Sequence, residues 1–76
     1  MSSIAQASFS YDVTLMEEDM AAKGFLRTDL AQRANVSAMA VTRFLNGERQ
    51  TARMAKKLAG ALGRSVRRYL ISSRAA

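Results

Sequence analysis

The stretch RTDLAQRANVSAMAVTRFLN, residues 27–46, decides the fold. Its first eight residues put Leu30 and Ala31 on one side of a short helix, from Arg27 to Ala34. Asn35 and Val36 then make a tight turn, because Asn is the non-glycine residue that best tolerates a left-handed backbone. Ser37 caps a second helix running to about Asn46, whose inner side holds Val41, Phe44 and Leu45. Asn46-Gly47 breaks it. Ala31 is the small residue on which the second helix can cross the first. Two short helices joined by so tight a turn are a helix-turn-helix. The opposite face of the second helix carries Ala38, Met39, Thr42 and Arg43, and no acid. A helix N-terminus tolerates phosphate, and a face this small enters a major groove about 12 Å wide.

Working outward, an earlier helix is expected from about Asp12, its N-cap, to Lys23, with Val13, Met16 and Met20 as apolar stripe and Gly24 as stop. Its Glu17, Glu18 and Asp19 read as a solvated face. Beyond residue 46, Glu48, Arg49 and Gln50 read as an exposed loop. Thr51 caps a fourth helix with Met54, Leu58 and Leu62 inside and Gly63 at its end. Ser65 caps a fifth, reaching about Ser72, with Val66, Leu70 and either Tyr69 or Ile71 apolar. Residues 1–11 read as a loose arm, although Phe9, Tyr11 and Val13 alternate with polar residues as a short strand would. Residues 73–76 read as a flexible tail. The expectation is a compact all-α domain of five helices over residues 12–72, with no sheet.

Composition narrows the function. The chain has 76 residues, no Cys and no His, which excludes zinc sites and most nucleophile–base pairs. No enzyme, metal or cofactor is therefore expected. No apolar run approaches the roughly 18 residues of a membrane span, and no signal-peptide pattern is present, so a cytoplasmic location is the default expectation. The net charge is +6, unevenly spread. Residues 1–26 hold one lysine against four acids, net −3, and residues 27–76 hold eleven Lys and Arg against two acids, net +9. Such a basic domain points to a polyanion. The Arg-rich fifth helix is too short and too weakly amphipathic to bind membrane strongly.

The segments LAQRANVSAMAVTRFLNGER and KKLAGALGRSVRRYL resemble the phage lambda repressor and Cro-like helix-turn-helix family, over residues 12–71. The resemblance implies binding to double-stranded DNA, with Ala38, Met39, Thr42 and Arg43 at the base-reading positions. Arg43 is the candidate for a bidentate contact to guanine, and Ala38, Met39 and the Thr42 methyl for contacts to thymine methyl groups. It implies phosphate contacts at Arg27, Thr28, Ser37, Asn46, Gly47 and Arg49. Leu26 stands where the family has a Ser or Thr cap, Asn35 replaces the turn glycine, and Gln50-Thr51 replaces a proline.

The resulting expectation is a transcriptional repressor that binds a palindromic operator as a homodimer, with half-sites roughly 34 Å apart. An antitoxin-type protein or a protein-interaction module on the same fold is the alternative, with a protein partner. Four arginines in and around the expected fifth helix, Arg64, Arg67, Arg68 and Arg74, call for acidic company, and the Glu17–Asp19 cluster of a partner subunit is a candidate.

Overall fold

A computed structural model describes residues 8–73. Residues 1–7 of the expected arm, and residues 74–76 with Arg74, lie outside the described residues. Strand β1 spans Ser8–Tyr11, followed by helices α1 (Val13–Lys23), α2 (Arg27–Ala34), α3 (Ala38–Leu45) and α4 (Ala52–Ala61). A single 3-10 turn covers Val66–Arg68, and strand β2 spans Leu70–Ser73.

Local chemistry sets the helix ends. The Asp12 carboxylate accepts the Leu15 N–H at 3.0 Å, Ser37 Oγ accepts from Ala40 at 3.1 Å, and Thr51 Oγ1 accepts from Met54 at 3.1 Å. Each satisfies a backbone donor that the first turn leaves without a partner. Leu26 has no such side chain. There the bond is reversed, and Asp29 reaches back to accept the Leu26 N–H at 2.8 Å. Asn35 closes α2 at φ 60°, and the Val36 N–H returns to Ala31 O at 2.9 Å. That left-handed step is what turns the chain from α2 into α3.

The core forms where α1, α2, α3 and α4 meet. Met16, Leu30, Val41, Phe44, Leu58 and Leu62 are fully buried in it. Tyr11 closes one side, its ring 5.5 Å from that of Phe44.

The expected fifth helix is a correction. Ser65 does act as a cap, accepting the Arg67 N–H at 3.2 Å, but the helix stops after one 3-10 turn. The chain then extends as β2 and pairs antiparallel with β1, from Ser8 opposite Ser73 to Tyr11 opposite Leu70. Tyr69 is the pivot. It is fully buried, and its carbonyl accepts the Asp12 N–H at 2.7 Å. Leu70 and Ile71 are good strand formers once a partner strand exists. The ladder also makes residues 8–11, expected as loose arm, part of a two-stranded sheet. The described chain is mostly helical, with four helices rather than five.

Two further expectations change. Asp19 is not on a solvated face: it is 7% exposed and accepts from Arg68 Nε at 2.7 Å, Arg68 Nη2 at 3.0 Å and the Tyr69 hydroxyl at 2.5 Å. Arg68 therefore finds its acid within its own chain, not across a subunit boundary. Gln50 is not loosely exposed either. Its amide donates to Phe44 O at 3.0 Å and accepts the Tyr11 N–H at 3.3 Å, tying the end of α3 to β1.

Candidate nucleic-acid interface

Burial of Val41, Phe44 and Leu45 fixes the rotation of α3 and turns its other face outward. Ala38, Met39 and Arg43 are exposed there, and Thr42 is half-buried. Met39 is 59% exposed, far too open for core filling. Ala38 and Thr42 are four residues apart, and Met39 and Arg43 likewise, so they form two adjacent rows on the outer face.

The loop after α3 folds back beside this face. An open groove of about 490 Å³ is lined by Ser37, Met39, Ala40, Arg43, Arg49, Thr51 and Met54. It unites four residues singled out in the sequence, Ser37, Met39, Arg43 and Arg49, with two arginines among them. Asn46 and Gly47 are exposed at the C-terminal end of α3, and Asn46 Nδ2 makes a long 3.4 Å contact to Glu48. The Gly47 backbone is left-handed at φ 80°, which lets the chain leave α3 abruptly towards Arg49.

Arg27 and Thr28 form the first turn of α2, apart from the groove lining. Arg27 is half-exposed and already engaged, with Nη2 at 3.1 Å from Glu17 Oε2. Sequence reading missed that pairing, and the carboxylate ten residues away on the preceding helix was its only signal. Ser37 has limited capacity. Its Oγ accepts the Ala40 N–H, which leaves its own O–H as the donor for an anion.

A helix-turn-helix family model matches residues 16–68. The chain belongs to the lambda repressor/Cro-like helix-turn-helix family. No curated protein and no solved structure matches it significantly. Membership places this helix-turn-helix protein among DNA-binding transcription regulators. The match runs from α1 through the 3-10 turn and leaves both strands outside it. The helix-turn-helix thus lies wholly inside the matched region. Among the described residues, no group of three or more His, Cys, Asp or Glu is arranged to hold a metal. Among the described residues, no helix is long and apolar enough to cross a membrane.

Proposed function

We propose that this helix-turn-helix protein is a sequence-specific regulator that binds double-stranded DNA with α3 in the major groove, most simply as a repressor covering a promoter. The observation that carries the reading is the outer face of α3, small and free of acid, beside a groove holding Arg43 and Arg49. In this reading Ala38, Met39, Thr42 and Arg43 touch base edges. Arg27, Thr28, Ser37, Asn46, the Gly47 backbone and Arg49 hold phosphates and set register. Two copies on an inverted repeat, one helical turn apart, extend the short footprint of a single α3.

Selection from a random duplex pool at physiological salt tests this directly. An enriched inverted repeat supports the dimeric regulator; an enriched single half-site supports reading by one copy. Absence of any enrichment overturns sequence-specific recognition.

One observation favours a second reading, a protein-interaction module of the antitoxin kind. A nearly apolar groove of about 300 Å³ lies between Tyr11, Ala52, Lys56, Val66 and Leu70, and Leu70 and Ile71 are 40% and 45% exposed. The same surface serves self-association in the first reading. Sedimentation of the protein alone separates the two: a dimer without partner supports the first.

A further inference from the structure

The ion pair between Glu17 and Arg27 has an unusual place. Of the six acids, Asp12 and Asp29 accept backbone N–H groups at the starts of α1 and α2, and Asp19 is buried against Arg68. Glu48 leans on Asn46. Glu17 alone among the described residues forms an ion pair with a proposed phosphate contact. The neighbouring Glu18 is exposed and makes no ion pair among the described residues.

The Glu17 contact is a single 3.1 Å bond between side chains 41% and 48% exposed. Such a pair is weak and opens readily. Among the described residues, Arg27 makes no other side-chain hydrogen bond, so its remaining guanidinium donors are available to a phosphate. Even so, the carboxylate is always present beside Arg27, at the high effective concentration of a group in the same molecule. A phosphate must either displace it or sit next to it, against its charge.

We infer that Glu17 is a specificity-determining residue, competing with DNA phosphate for Arg27 so that Arg27 reaches the backbone chiefly where α3 has already fixed the register. This rests on the DNA-binding reading above. On a random duplex no base contact holds the backbone still. Phosphates visit Arg27 only in passing, Glu17 keeps it, and Arg27 releases few counterions. On the cognate site base contacts hold one phosphate within reach, and that phosphate competes on equal terms. Glu17 therefore weakens random binding more than specific binding and widens the ratio between them, which is the quantity that matters in a genome full of competing sites.

The test is fluorescence anisotropy of the full chain on a random duplex and on the selected site, across a salt series. Glu17→Gln should tighten random binding about two- to fivefold, the range of an exposed ion pair. It should steepen the salt slope by about 0.9, one additional phosphate neutralised. The selected site should gain less. Glu18→Gln removes the same charge one residue away and should give well under half the gain. Adding Arg27→Ala to Glu17→Gln should cancel it. Unchanged or weaker random binding by Glu17→Gln overturns the inference, as does an equal gain from Glu18→Gln, which would mean net charge alone. Wild-type protein that binds no duplex even at low salt overturns the DNA reading and this inference together, a result distinct from the other two.

Discussion

Three donors converge on Asp19: two nitrogens of Arg68 and the Tyr69 hydroxyl. The hydrogen bonds from Arg68, then that from Tyr69, hold the Asp19 carboxyl down to about 2 from 3.8, against the opposing effect of burial. Burial first, then the hydrogen bond to Asp19, push Tyr69 up to about 12 from 10.0. The signs are opposite. Asp19 contributes stability that is complete above its unfolded value of 3.8 and is lost as pH falls through about 2. Tyr69 contributes stability that is complete below 10.0 and is lost as pH rises through about 12. Thermal melts across pH should show both limbs. Asp19→Asn should flatten the acid limb and Tyr69→Phe the alkaline one; an unchanged alkaline limb in Tyr69→Phe would assign that loss elsewhere. At the proposed DNA face, Arg43→Ala should relax one guanine position by about 1–3 kcal/mol of discrimination. Arg49→Ala should weaken all duplexes alike and reduce the salt slope by about one. Binding titrations on the selected site and its single-base variants distinguish the two. The exposure of Arg43 on the outer face of α3, and of Arg49 in the loop that follows, was legible in the sequence because it follows from the helix period and the turn. The surroundings of Asp19 were not. Its partners lie 49 and 50 residues away, and local pattern carries no trace of them.

The four helices were legible for the same local reason. Caps act over three residues and apolar stripes over three or four, so Asp12, Ser37 and Thr51 announce themselves. The fifth element was misread because Val66 and Leu70 satisfy a helical spacing while Leu70 and Ile71 equally suit a strand. Pairing with Ser8–Tyr11 decided between them, and that pairing is not a local property. Gln50 was misread for a related reason. A glutamine between an arginine and a threonine looks solvated until its two backbone partners are brought to it by the fold. Gln50→Ala should cost about 1–2 kcal/mol, since it removes two hydrogen bonds and leaves a half-buried Tyr11 N–H without its acceptor. Urea denaturation measures this. A cost indistinguishable from zero would mean that water replaces the side chain without penalty.

At the scale of the whole molecule, the separation of charge is the dominant physical fact. All of the excess positive charge follows residue 26, and the proposed DNA face lies within that part of the chain. If two copies bind an inverted repeat, the salt slope on the full site should be about twice that on a half-site duplex. Titrations on the two duplexes provide the comparison, and equal slopes would mean that a single copy binds both. The ladder between β1 and β2 has a mechanical consequence. Ser8 and Ser73 face each other at its outer end, and Tyr11 and Leu70 at its inner end. Tension drawing residues 8 and 73 apart therefore loads the outermost rung alone, then the next, and peels the ladder as a zipper opens. Its rungs never share the load as they would in shear. The clasp yields to a small force, and the helices behind it are reached only after the last rung, at Tyr11, has gone.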